Sequence, residues 1–113
     1  MAGTTDAVGW SYSSFATPFW EDPTAWLEHS PIMHVGRVET PTLVMVGEND
    51  GRTPVAQSAE YYLALKLKGV STKLLIFRDE GHGPWRSKPS NLFRTQQYLH
   101  EWFSTYTRSM RNR

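Results

Sequence analysis

The sequence predicts an α/β fold built on two parallel strands and the helix between them. Two short apolar runs, Thr42–Gly47 and 71–77, lack the polar alternation of a half-exposed strand, so each is expected to be buried on both faces. The segment between them has a helix-start signal at Thr53 and Pro54 and a helix-end signal at Gly69. Strand, helix and strand together have the length of a crossover unit.

The flanking segments complete the predicted organisation. Residues 1–40 form an aromatic loop region with one short helix, residues 41–107 a βαβα core that closes with a helix over 91–106, and residues 108–113 a basic tail. Two parallel strands cannot cover their own faces. The 113 residues are therefore expected to be the C-terminal fragment of a single larger α/β domain.

Composition excludes several classes of function. The chain is 39% hydrophobic and 20% charged, with a net charge of +1, which gives no general attraction to nucleic acid or anionic membranes. It has no cysteine, which excludes thiol catalysis and cysteine-bound zinc and fits a reducing compartment such as the cytoplasm. No apolar run approaches a membrane span, and the first residues lack the features of a signal peptide.

Each predicted strand is followed by a loop that carries one residue suited to catalysis. Asp50 follows the first strand, and His82 follows the second, between Gly81 and Gly83. Loops at the carboxyl ends of neighbouring parallel strands lie close together, so the two side chains can meet. An acid that precedes a histidine is the chain order of α/β-hydrolases, in which the carboxylate orients the imidazole that activates a serine.

Other interpretations of these residues stay open at this point. Asn49-Asp50-Gly51 also has the composition of an ordinary turn, and His82 also fits an exposed loop histidine. Asp79 and Glu80 lie next to His82, but their spacing does not match a metal site. His29, His34 and His100 have no partner pattern.

The motifs resemble those of the prolyl oligopeptidase family of serine peptidases, in the C-terminal part of the catalytic domain. The likeness covers residues 20–106 and consists of a proline-led strand, a glycine, an aspartate, a helix-starting proline, a glycine–valine after the helix and an E-G-H-G loop. In this chain those are Pro41, Gly47, Asp50, Pro54, Gly69, Val70 and residues 80–83. The segments WEDPTAWLEHSPI and EWFSTY resemble the flanking family segments.

The resemblance implies an α/β-hydrolase fold and a serine peptidase that cleaves peptides through a serine acyl-enzyme. It implies that Asp50 is the acid and His82 the base of a Ser-Asp-His triad, with no metal and no cofactor. The chain departs from the family at Val46, where the family commonly has histidine, and at Gly51 and Thr53, where larger residues are frequent. The family's β-propeller and the first strands of its hydrolase domain are also missing.

Ser11 is a candidate nucleophile because GWSYSS resembles the start of a G-x-S-x-G elbow. Three observations argue against it: Ser13 stands where the second glycine belongs, no buried strand precedes Ser11, and only 39 positions separate it from Asp50. That interval is too short for the helix and strands that follow an elbow. The sequence therefore predicts that the nucleophile lies outside this chain.

The predicted function is that of a serine peptidase fragment that supplies the acid and the histidine of the triad. Its partners would be a peptide substrate and the N-terminal part of the hydrolase domain, and the chain by itself would be inactive. Two alternatives remain: a fragment of an esterase or dienelactone-type α/β-hydrolase, and a non-catalytic truncated reading frame.

Overall fold

The computed structural model describes residues 5–83 and 87–111 and, of their side chains, those of residues 5–9, 13–83 and 87–107. The elements in chain order are α1 (Val8–Phe15), α2 (Thr24–Glu28), a 3₁₀ helix (Pro31–Arg37), β1 (Thr42–Gly47), α3 (Val55–Leu67), β2 (Thr72–Phe77) and α4 (Pro89–Arg111).

The two strands form a parallel sheet, as the apolar runs predict. Thr42 lies opposite Thr72, and Gly47 lies opposite Phe77, so both strands end at the same edge. The loops that follow β1 and β2 consequently start side by side. This register is what positions the candidate site described below.

Helix α3 connects the strands and packs against both of them and against the 3₁₀ helix. Its Leu65 is fully buried and, with Val46 and Phe77, belongs to the small apolar core. Leu63 of the same helix is exposed. The helix ends before Gly69, which has a positive φ of 78° that a residue with a side chain rarely adopts.

Residues 5–40 contain more helix than the sequence predicts. Both α1 and the 3₁₀ helix lie in a segment expected to be loop, while the predicted short helix is α2, which begins at Thr24. Trp26 of α2 is buried, its indole N–H donates to the Thr17 carbonyl at 2.8 Å, and its ring packs against Phe15 and Phe19. These tertiary contacts, rather than local propensity, hold the segment together.

Helix α4 extends beyond the predicted 91–106 at both ends. It begins at Pro89, a residue suited to the first helical position because its missing N–H has no intrahelical partner there. It continues through Arg111, so the backbone of the expected basic tail is helical up to that residue, while residues 112–113 lie outside the described part. Across the described ranges, no helix combines the length and apolar character of a membrane crossing.

Several large apolar side chains are exposed. Ile76 of β2 is 48% exposed, and Phe93 and Phe103 of α4 are 64% and 60% exposed. The sequence predicts that β2 is buried on both faces, and the described residues do not cover Ile76. The radius of gyration is 16.1 Å, whereas a compact domain of this length has about 13 Å. The described elements thus leave apolar surface uncovered.

Candidate active site

Asp50 lies in the loop that follows β1, and its carboxylate is held by the loop itself. The amides of Arg52 and Thr53 each donate to Oδ1 at 2.9 Å, and the Thr53 hydroxyl donates to Oδ2 at 2.9 Å. The Asp50 amide bonds back to the carbonyl of Gly47. The turn interpretation of Asp50 is thus borne out by these bonds, and it describes only part of what the carboxylate does.

His82 lies in the loop that follows β2. Two residues of this loop have positive φ, Asp79 at 58° and Gly83 at 92°. A glycine stands on each side of His82. Only Gly83 has the left-handed conformation, and Gly81 does not.

The structure brings Asp50 and His82 together. Nδ1 of His82 lies 3.0 Å from Oδ2 of Asp50 and 3.3 Å from Oδ1. The carboxylate is enclosed, with a side-chain exposure of 4%, whereas the side chain of His82 is 56% exposed. An ionised carboxylate can only accept hydrogen bonds, so Nδ1 is the donor and Nε2 is left as the ring's available base. The catalytic roles of both residues stay predictions.

The loop keeps Asp50 ionised. Burial alone raises the pKa of this carboxyl group, but hydrogen bonds from the Thr53 amide, the His82 ring, the Thr53 hydroxyl and the Arg52 amide outweigh burial. The pKa of Asp50 consequently lies below its ordinary value of 3.8. At neutral pH the group is a carboxylate that can orient and stabilise an imidazolium.

Glu80 anchors the histidine loop to the start of α4. Its side chain is fully buried, and its carboxylate accepts hydrogen bonds from the Ser87 amide at 3.2 Å, the Lys88 amide at 3.1 Å and the Asn91 side chain at 2.9 Å. The Asn91 bond, followed by the bonds from Ser87 and Lys88, lowers the pKa of Glu80. The bonds satisfy this buried charge, as its burial requires.

No metal cluster is found at this position in the part of the chain that the structure describes. The Glu80 carboxylate is directed to the start of α4, and the Asp79 carboxylate pairs with the Lys88 ammonium group at 2.7 Å. The two acidic groups beside His82 are therefore engaged with protein donors.

The loops after β1 and β2 also touch through their backbones. The Asn49 amide donates to the Glu80 carbonyl at 2.9 Å. A Cβ placed on Gly47 would overlap the carbonyl oxygens of Glu80 and Gly81. The chain can approach this closely only because position 47 has no side chain.

Ser11 does not lie on an elbow between a strand and a helix. Its backbone is in the interior of α1, which spans Val8–Phe15, and its side chain lies outside the described residues. A nucleophile elbow places its serine on a strained turn directly after a strand. That the nucleophile lies outside this chain stays a prediction.

Sequence reasoning missed the roles of Thr53, Glu80 and Asn91. Thr53 was interpreted only as part of a helix start, although a threonine three residues after an aspartate is a frequent side-chain bonding pattern. The Gly51 carbonyl accepts a hydrogen bond from the Asp6 amide at 2.9 Å.

Comparisons with known proteins point to one family. The model of the prolyl oligopeptidase family matches residues 1–109. Acylamino-acid-releasing enzyme 1 of Oryza sativa subsp. japonica is 33% identical over 116 aligned residues, which cover 94% of this chain and 15% of that protein. The acylamino-acid-releasing enzyme of Homo sapiens is 37% identical over 89 residues, covering 73% of this chain and 12% of that protein.

A bacterial relative is named as a peptidase as well. The uncharacterized peptidase YuxL of Bacillus subtilis (strain 168) is 33% identical over 87 residues, which cover 76% of this chain and 13% of that protein. The chain thus spans no more than about 15% of the length of these curated relatives.

Proposed function

The chain belongs to the prolyl oligopeptidase family, and from that premise we propose that it supplies the acid and the base of a Ser-Asp-His triad in a serine peptidase. The observation that carries the proposal is the pair formed by Asp50 and His82, with Nδ1 3.0 Å from Oδ2. An enclosed carboxylate suits the acid that orients the imidazole, and an exposed imidazole suits the base that must reach the serine and the substrate.

His82 would act as general base and then as general acid. Its Nε2 takes the proton of a serine hydroxyl while the serine oxygen attacks the peptide carbonyl, and the same nitrogen returns the proton to the leaving amine. Water then cleaves the acyl-enzyme by the same route. Asp50 stays ionised throughout, because its hydrogen bonds lower its pKa, and it stabilises the imidazolium that forms in each step.

The serine and the rest of the hydrolase domain would come from sequence outside these 113 residues. Support for this comes from the uncovered apolar side chains of Ile76, Phe93 and Phe103, which further strands and helices of an α/β-hydrolase domain would bury. The family implies that fold, and the parallel sheet with its helices is compatible with it. The chain would then be the C-terminal portion of the catalytic domain.

A peptide is the substrate class that the family implies, and the names of the relatives agree with it. Two of them are named for the release of acylamino acids and one as a peptidase. The alternative of an esterase fragment would use the same pair of residues. Hydrolysis of a blocked peptide and of its matched ester by the complete protein that carries this chain would separate the two.

A chimera tests whether the pair is catalytically competent. In it, this chain replaces the aligned segment of the rice acylamino-acid-releasing enzyme, whose remaining sequence supplies the other parts of the domain. We expect the chimera to react with a fluorophosphonate probe and to release acylamino acids, and we expect His82→Ala in the chimera to abolish both. A folded chimera, shown by circular dichroism, that does neither while the parent enzyme does both would contradict the proposal.

A further inference from the structure

We propose that Thr53 is a positioning residue for the acid–histidine pair, and that its hydroxyl holds the Asp50 carboxylate in the orientation that accepts the Nδ1 proton of His82. The inference deepens the proposed function and rests on it. It follows from the bonds that the Thr53 side chain makes.

Thr53 contacts both oxygens of the Asp50 carboxylate. Its amide donates to Oδ1 and its hydroxyl donates to Oδ2, each at 2.9 Å. Oδ2 is also the oxygen nearest to Nδ1 of His82, at 3.0 Å. Together with the Arg52 amide on Oδ1, Thr53 therefore fixes the rotation of the carboxylate that accepts from the imidazole.

The hydroxyl also faces the imidazole, with Oγ1 3.5 Å from Nδ1 of His82. A hydroxyl has a single proton, and Thr53 gives that proton to Oδ2 of Asp50, so only its lone pairs remain for the ring. The three oxygen atoms that form these contacts with Nδ1 among the described residues are then acceptors. This arrangement favours the tautomer that is protonated on Nδ1 and leaves Nε2 free to accept a proton.

A role in starting α3 does not account for this side chain. The helix begins at Val55 with Pro54 at the N-cap position, and the Thr53 hydroxyl bonds to Asp50 instead of to an amide of the helix. The carboxylate is almost fully enclosed, so water cannot readily replace a lost donor. The Thr53 hydroxyl is thus a hydrogen-bond donor to Asp50 that water would not readily replace.

The test compares Thr53→Val, which keeps the shape and removes the hydroxyl, with Thr53→Ser, which keeps the hydroxyl. Thr105→Val is the control, since its hydroxyl donates within α4, to the Glu101 carbonyl, far from Asp50 in the chain. In the 113-residue chain, NMR follows the Asp50 Cγ signal against pH and the His82 Nδ1 proton. We expect Thr53→Val to raise the pKa of Asp50 and shift that proton signal, and Thr53→Ser to restore both.

In the chimera with the rice enzyme, Thr53→Val should lower kcat by roughly tenfold with KM unchanged. Thr53→Ser should stay close to the parent chimera, and Thr105→Val should match it. Thermal unfolding of each variant separates lost positioning from lost folding.

The proposal is overturned if Thr53→Val leaves the Asp50 titration and kcat unchanged, or if valine and serine lower kcat equally. A failure of the proposed function would give a different pair of results for activity and titration. In that case the unsubstituted chimera is inactive, while the Asp50 titration of the 113-residue chain still responds to the Thr53 hydroxyl.

Discussion

The Asn49 amide donates to the Glu80 carbonyl at 2.9 Å, which joins the acid loop to the histidine loop one residue before Asp50 and two residues before His82. The relative position of the two side chains is therefore set by a bond between main chains as well as by their own contact. Gly47 permits this approach, since its missing side chain leaves room for the backbone of the histidine loop.

Gly47→Ala should disrupt this junction. The new Cβ would overlap two carbonyl oxygens and lie 2.8 Å from the Glu80 carbonyl carbon, all of them backbone atoms that cannot rotate away. We expect a loss of about 1–3 kcal/mol in the free energy of unfolding, measured by urea denaturation.

The matched control is Gly81→Ala, on the other side of the same contact. Apart from its chain neighbours, no atom of the described residues lies within 4 Å of a Cβ placed at position 81, and the residue does not have a positive φ. Its unfolding free energy should stay within about 1 kcal/mol of the original. Equal losses in the two variants would show that the close approach at Gly47 is not the cause.

Asp50→Asn should remove the acid function while keeping its shape. An amide cannot stabilise an imidazolium, and its NH₂ group can turn the imidazole to the tautomer that has no free Nε2. In the chimera with the rice enzyme we expect kcat to fall by about 10³–10⁴-fold, measured by release of acylamino acid.

Asp79→Asn is the control for that substitution. Asp79 is in the histidine loop, pairs with Lys88 on the surface and has a φ of 58°, which asparagine tolerates. The kcat of the Asp79→Asn chimera should stay within about twofold of that of the parent chimera, because an exposed ion pair contributes little to the stability of the loop. A comparable loss of activity in both variants would contradict the special role of Asp50.

Glu80 should make stability depend on pH on the acid side. The bond from the Asn91 side chain, followed by those from Ser87 and Lys88, holds the pKa of Glu80 in the folded chain below its ordinary value of 4.5. The unfolded chain therefore binds the proton more readily. The stabilisation is fully present above about pH 4.5 and is lost as the pH falls through the lower pKa of the folded state.

Glu80→Gln removes this titration and should give a shallower loss of unfolding free energy between about pH 5 and pH 3. Asn91→Ala keeps the carboxylate and removes one donor, so its slope should lie between those of Glu80→Gln and the original chain. Urea denaturation at each pH gives the three slopes. Identical slopes for the original chain and Glu80→Gln would assign the acid sensitivity to other groups.

The elements with strong apolar patterns could be predicted from the sequence. Strand β1 begins and ends at the predicted residues, and β2 and α3 differ from the prediction by one or two positions. The family resemblance drawn from the motifs is confirmed by the family match over residues 1–109. In these segments local pattern and tertiary packing favour the same structure.

The remaining structure depends on contacts that a linear pattern does not contain. Helix α1 has glycine and three serines in VGWSYSSF, and one of its aromatic residues, Phe15, packs on Trp26 from another helix. Likewise, the bonds of Glu80 join residues 7 to 11 positions apart across a loop. Such partners depend on the folded path of the chain, so the sequence predicted the pair Asp50 and His82 but not the groups that hold it.

Ser11 provides a prediction about the nucleophile. Because its backbone lies within α1, it lacks the strained turn that exposes an elbow serine, and we expect no reaction of the 113-residue chain with a fluorophosphonate probe. In the chimera with the rice enzyme, Ser11→Ala should leave labelling unchanged, as should Ser13→Ala in the same helix. Labelling that disappears with Ser11→Ala and persists with Ser13→Ala would make Ser11 the nucleophile, and the triad would then lie within this chain.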